Sequence, residues 1–190
     1  MANLEMDSLE AHSQRKSVRL KGYDYAQSGY YFITICTRNR ELLFGKIDDG
    51  EMILSSNGII ANCEASRVAS HYHGIEIHNY VIMPNHVHLM IAVARLAVVG
   101  APLAAPVAQD MSAVSLTGDA GAASGAPTIG NIIRGYKSGV SRLAGFSLWQ
   151  RNYYEHIVRN DKECNSINEY INMNPLLWEA DCHNPNNKKK

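Results

Sequence analysis

The chain has 190 residues, 46% hydrophobic and 19% charged, which is enough for one domain with a real core and too little for a comfortable second. Eighteen Lys and Arg balance eighteen Asp and Glu, which argues against indiscriminate coating of nucleic acid but leaves room for a basic face. No apolar run of the roughly eighteen residues that a membrane-spanning helix needs is present, and no apolar stretch near the start reads as a secretory signal.

In chain order, residues 1–22 are polar and without a sustained period, and they read as an N-terminal arm. Residues 23–183 read as a single domain and 184–190 as a basic tail. Tyr30–Thr37 (YYFITICT) is rich in aromatic and β-branched residues, which suit a half-buried strand. Leu42–Ile47 and Glu51–Leu54 flank Asp48-Asp49-Gly50, a hairpin signal because Asp-Gly tolerates the positive φ of a tight turn. Ser56 or Asn57 caps a helix to about His71, its apolar positions near a 3.6-residue period, and Gly74 ends it. Ile75–Met83 and His86–Val93 are strands of period two, broken by Pro84-Asn85.

Residues 94–128 differ in kind. They hold eleven Ala, four Gly, three Pro and three charged residues (Arg95, Asp110, Asp119), with no aromatic. This is a low-complexity insertion joining a strand to a helix. Thr128 then caps a helix to Leu143, with Ile129, Ile132, Ile133, Tyr136 and Val140 on one face. Ser147–Val158 reads as extended, and Asp161 caps a last helix that Pro175 stops after Asn174.

Four cysteines (Cys36, Cys63, Cys164, Cys182) form no CxxC pair, so neither a disulfide framework nor a thiolate zinc site is expected, and a reducing cytoplasm fits. Basic residues cluster at Arg15, Lys16, Arg19 and Lys21, again at Arg134, Lys137, Arg142, Arg151 and Arg159, and at the three closing lysines. Such clusters can build a phosphate-binding face within a neutral chain.

The sharpest motif is Pro84-Asn85-His86-Val87-His88. On a strand, residues i and i+2 share a face, so His86 and His88 lie side by side while Val87 points to the core. Two imidazoles at this spacing are half of a divalent-metal site, or ordinary strand histidines. The second motif is Tyr170–Asn174, at i and i+4 on one helix face. The spacing aims a phenol and an amide at one site; packing and a helix stop are the plainer reading of each. Tyr136 falls on an apolar face and has Val140 at i+4, so it reads as core.

Together these blocks resemble the single-tyrosine HUH transposases (His, bulky hydrophobe, His), most closely the REP-associated tyrosine transposase (RAYT) branch. The blocks are SVRLKGYDYAQSGYYFITICTRNRELLFG, VIMPNHVHLMI, IIRGYKSGVSR, WQRNYYEHIVRN and INEYINMNP, in that order. The resemblance implies an α+β fold: a ferredoxin- or RRM-like sandwich, an antiparallel sheet with helices on one face and the HUH motif on a central strand. It implies that His86, His88 and Asn174 hold Mg²⁺ or Mn²⁺, with Asn174 standing where some relatives carry glutamine. It implies Tyr170 as nucleophile, single-stranded DNA beside a hairpin as substrate, and a 5′-phosphotyrosine intermediate. Insertion-element relatives are dimers, whereas the REP-associated branch implies a monomer. Arg134, Lys137, Arg142, Arg151 and the Arg15–Lys21 arm are the expected backbone contacts. An RRM-like binding module without chemistry and a small-substrate metal hydrolase are the competing classes. The joint presence of His86, His88, Tyr170 and Asn174 favours the strand-transfer enzyme over both.

Overall fold

The computed structural model describes residues 28–94 and 128–187; the Arg15–Lys21 arm, nearly all of the 94–128 insertion and the closing lysines lie outside them. The elements are β1 (Gly29–Cys36), β2 (Gly45–Asp48), β3 (Glu51–Leu54), α1 (Ser56–His71), β4 (Ile75–Ile82), β5 (His86–Val93), α2 (Ile129–Ala144), β6 (Tyr154–Val158) and α3 (Asp161–Met173). Four strands form one antiparallel sheet in the order β4-β5-β1-β6, and β2-β3 is a separate hairpin. Without that hairpin the order is βαββαβ, the expected sandwich, followed by one extra helix.

Local signals act where the sequence places them. The hairpin turns through Asp49 and Gly50, both at positive φ (49° and 76°). It begins at Gly45 rather than Leu42, because Phe44 is instead clamped as irregular chain: its N–H donates to Pro84 O and its carbonyl accepts from Ser55 N–H. Ser55, one residue before the expected cap, accepts from Gly58 N–H and starts α1. Thr128 caps α2 through Asn131 N–H, and Gly145 closes it at φ 81°. Asn160 rather than Asp161 caps α3, accepting from Glu163 N–H. In β4 the period-two pattern slips between Ile77 and Tyr80 because a bulge sits between Ile77 and Asn79.

The expected extended run 147–158 is strand only over Tyr154–Val158. Its first half is pinned to the end of β1 by a Thr37–Trp149 bridge, and Trp149 Nε1 donates to Lys137 O at 3.1 Å. Trp149 thereby serves the core beneath the sheet instead of extending β6.

The pleat of β1 and β5 divides the molecule. Tyr31, Ile33 and Ile35 with Val87, Leu89, Ile91 and Val93 face α1 and α2 and form the main core. Phe32 and Met90 face the other way and pack against Ile167 and Ile171 of α3. The expectation of helices on one face is thus met by α1 and α2, while α3 lies over the opposite face. Its apolar stripe is narrow, two buried isoleucines at i and i+4, which suits a small patch and not a broad core. Each of those isoleucines contributes about 1.5–3 kcal/mol by burial, enough to hold a short helix on the sheet. Asn79 adds a polar tie: its Nδ2 lies 3.1 Å from both Asn168 Oδ1 and Asn172 Oδ1, on either side of Tyr170.

Candidate metal and nucleophile centre

His86 and His88 stand on the α3 face of β5, and both are fully buried. Val87 points into the main core, as the alternation requires. The two Nε2 atoms are 3.0 Å apart. Asn85 sets the tautomer of His86. Its Nδ2 donates to Arg40 O (3.1 Å) and His183 O (2.8 Å), which turns Oδ1 to His86 Nδ1 at 2.9 Å. The amide oxygen accepts, so Nδ1 carries the proton and Nε2 presents a lone pair. His88 Nδ1 meets Thr34 Oγ1, its cross-strand partner, at 2.9 Å. When Nδ1 donates to that hydroxyl, His88 Nε2 is a lone pair as well. Burial first, then the neighbouring His183, His88 and Arg40, hold the His86 imidazole well below its ordinary range, so it is neutral and able to ligate.

Tyr170 reaches this pair from α3. Its hydroxyl is 3.4 Å from His88 Nε2, and its ring meets His88 and Phe32 edge-on at centroid distances of 5.2 and 6.0 Å. Phe32 stacks on His88 at 5.2 Å and stiffens that side. Asn174 follows one turn beyond Tyr170, 2% exposed, and its Oδ1 is buried with no hydrogen-bond partner among the described residues. A buried acceptor left so costs about 1–3 kcal/mol unless something else satisfies it.

These residues fit a divalent cation. Metal–ligand bonds of about 2.1 Å at right angles put two donors about 3.0 Å apart, the octahedral edge. The facing Nε2 atoms have that separation, and Asn174 Oδ1 is an oxygen in want of a positive partner.

Sequence reasoning missed two residues. Asp181 and His183 are buried beside His86, and the ligating atoms of His86, Asp181 and His183 all lie within 4.8 Å of one another. The signal was an Asp-x-His spacing after Trp178, in a stretch with no periodicity to mark it as structured. The next residue, Asn184, opens the expected tail; it is also buried, and Pro185–Asn187 forms a 3₁₀ turn.

The basic residues are placed separately. Arg134, Lys137 and Arg151 line a groove of about 520 Å³ between α2 and the 147–153 segment. Arg142 lines another cavity of about 350 Å³ with Glu64, His71 and Tyr72. Lys137 Nζ donates to Gln150 O (2.6 Å) and Arg151 O (3.2 Å), so its cation already ties the segment to α2, and burial lowers its pKa. Tyr136 is 2% exposed and donates to Ala61 O at 3.1 Å, in the core on the far side of the sheet from the histidines; burial pushes its phenol upward. Glu163 accepts from the Arg159 N–H and pairs with His156 at 2.7 Å near the start of α3.

A Haemophilus influenzae protein of uncharacterised function is 38% identical over 172 residues, covering 88% of this chain and 91% of its own length. The chain belongs to the family of that protein. No protein-family model matches it. Among solved structures, a REP-associated tyrosine transposase bound to a REP hairpin superposes with a TM-score of 0.54 at 19% identity, over 84% of this chain and 74% of that one. The chain therefore shares the fold of that structure. A transposase candidate from Deinococcus radiodurans R1 aligns over 81% of this chain and 95% of its own, with a TM-score of 0.43 at 14% identity. Among the described residues no helix is long and apolar enough to cross a membrane.

Proposed function

We propose that the chain is a DNA strand-transfer enzyme, a metal-dependent HUH endonuclease and transposase that cleaves and rejoins single-stranded DNA beside hairpins. The observation that carries this reading is the meeting of Tyr170 OH with His88 Nε2 at 3.4 Å, where His88 Nε2 also faces His86 Nε2 at 3.0 Å. A nucleophile and a metal-ligating pair, from different elements, converge on one point.

His86, His88 and Asn174 would hold Mg²⁺ or Mn²⁺. When bound, such an ion neutralises the charge by which a phosphodiester repels nucleophiles. The chain's own work is placement. α3, held by Ile167, Ile171 and the Asn79 tie, presents the Tyr170 oxygen at the edge of the pair. That oxygen forms a bond to the scissile phosphorus as the phenol proton is lost to solvent. The bond from phosphorus to the 3′ oxygen breaks, and the departing oxygen takes up a proton. The products are a 5′-phosphotyrosine and a free 3′-OH. The count of phosphoester bonds is unchanged, so another 3′-OH reverses the step and joins strands without ATP.

Arg134, Lys137, Arg142 and Arg151, with Arg15, Lys16, Arg19 and Lys21, would supply backbone contacts, which position a strand without reading its sequence. Tyr170 reaches His88 within one chain, which favours a monomer over a site shared between copies. The solved RAYT was captured with a REP hairpin, which supports hairpin DNA as the partner here.

The test is incubation of labelled single-stranded hairpin DNA with the protein and Mn²⁺, followed by a denaturing gel. Wild type and Tyr136→Phe give a covalent adduct, and Tyr170→Phe binds the hairpin without one. An adduct that persists in Tyr170→Phe overturns the nucleophile. Binding with no adduct in wild type leaves a nucleic-acid-binding module.

A further inference from the structure

The segment after α3 is built into the site. Beyond the 3₁₀ turn Trp178–Ala180, Asp181 and His183 are only 8% and 6% exposed. Arg40 Nη1 donates to Cys182 O and Asn85 Nδ2 to His183 O, both at 2.8 Å, so the turn after β1 and the residue before His86 each grip it. Within the segment, Asn184 Nδ2 donates to Trp178 O at 3.0 Å. The His183 ring lies over His86 with centroids 4.5 Å apart.

The protons at this contact can be counted. Nδ1 of His86 donates to Asn85 Oδ1, so Nε2 is a lone pair. Asp181 Oδ1 accepts the His183 N–H at 2.6 Å, and Oδ2 lies 3.7 Å from His86 Nε2. A lone pair and a carboxylate oxygen therefore face each other away from water. The ligating atoms of His86, Asp181 and His183 all lie within 4.8 Å of one another, close enough to share one ion. The second imidazole, His183, favours a metal ion, because two imidazoles and a carboxylate are a common donor set for first-row divalent ions.

We propose that Asp181 and His183 are further ligands of the divalent ion held by the His86–His88 pair, so that the C-terminal segment closes the metal centre from outside the HUH strand. This rests on the metal reading given above. The anionic carboxylate adds an attraction that the neutral Asn174 amide lacks, and the segment's own ties pre-organise it.

The experiment is titration of the full chain with Co²⁺, followed by calorimetry and by the visible absorption that reports cobalt's ligand number. Asp181→Asn, His183→Gln and His86→Ala are compared with wild type. Asp181→Asn retains an oxygen to accept the His183 N–H, and circular dichroism in EDTA verifies each fold. Asp181→Asn and His183→Gln each weaken binding by at least about tenfold and alter the cobalt spectrum. Unchanged affinity and spectrum in both, with binding lost in His86→Ala, overturns this inference while the metal reading stands. No Co²⁺ binding by wild type overturns both. Independently of any variant, the Co²⁺-loaded wild type shows strongly contact-shifted ring N–H signals from His183 as well as from His86 in NMR spectra, of the size that only a bonded imidazole gives. A His183 without a contact-shifted ring N–H overturns the proposal.

Discussion

Asn85 is the residue whose loss is felt most widely, because one fully buried amide serves three partners. In Asn85→Ala the carbonyls of Arg40 and His183 lose their donor and the His86 Nδ1–H loses its acceptor. A hydrogen bond is worth about 1 kcal/mol net, and a buried group left unsatisfied costs about 1–3 kcal/mol. The Arg40 carbonyl is near the surface and recovers water, whereas the other two sites are enclosed. The sum is a loss of roughly 3–4 kcal/mol, or about 6–16 °C in Tm for a chain of this size. Urea denaturation in EDTA measures the stability, and Mn²⁺ calorimetry measures the second consequence. His86 is freed to turn or change tautomer, so metal affinity falls about 10–100-fold. Asn85→Asp separates the roles, since its carboxylate still accepts from His86 but confronts two carbonyls it cannot donate to; its stability loss equals or exceeds that of alanine. A loss below about 1 kcal/mol in Asn85→Ala, with Mn²⁺ affinity unchanged, would refute the argument that this amide sets the His86 tautomer.

Two further outcomes follow from the same geometry, beside the loss of adduct in Tyr170→Phe. His86 is buried with its folded pKa below the ordinary value, so the unfolded chain binds a proton that the native chain refuses. In EDTA its stability contribution is complete above about pH 6.5 and is lost as pH falls from there toward the folded pKa, with a slope of up to about 1.4 kcal/mol per pH unit. Chemical denaturation between pH 7.5 and about 5 checks this, and a flat profile contradicts it. Gly58→Ala destabilises despite alanine's helix preference, because the added Cβ would lie 2.0 Å from the Phe44 carbonyl oxygen. Overpacking of about 1–3 kcal/mol outweighs the helix gain of about 1 kcal/mol, and a raised Tm would show that the Phe44 segment gives way freely.

Much of this molecule was legible because its signals are short-range. The turn at Asp49-Gly50, the caps near Ser55, Thr128 and Asn160, and the apolar face that takes Tyr136 into the core are each decided within a few residues. The pairing of His86 with His88 is also local, since the pleat puts i and i+2 on one face whatever lies opposite. A role for Tyr170 beside that pair was implied only by a motif resemblance spanning blocks far apart in the chain; in the fold its hydroxyl lies 3.4 Å from His88 Nε2.

What tertiary structure alone decided concerns partners distant in sequence. Periodicity says that α3 has an apolar stripe but not which face of the sheet it covers, and the choice came from Phe32 and Met90 pointing away from the main core. Lys137 reads as a free cation until the chain returns and offers two carbonyls to it. Asp181 and His183 sit in a segment without period or cap signal. They lie beside His86 because Asn85 and Arg40, which stand roughly a hundred residues or more earlier in the chain, hold that segment in place. Hydrogen bonds of that kind are written in the folded arrangement of backbone carbonyls, which side-chain order alone does not display.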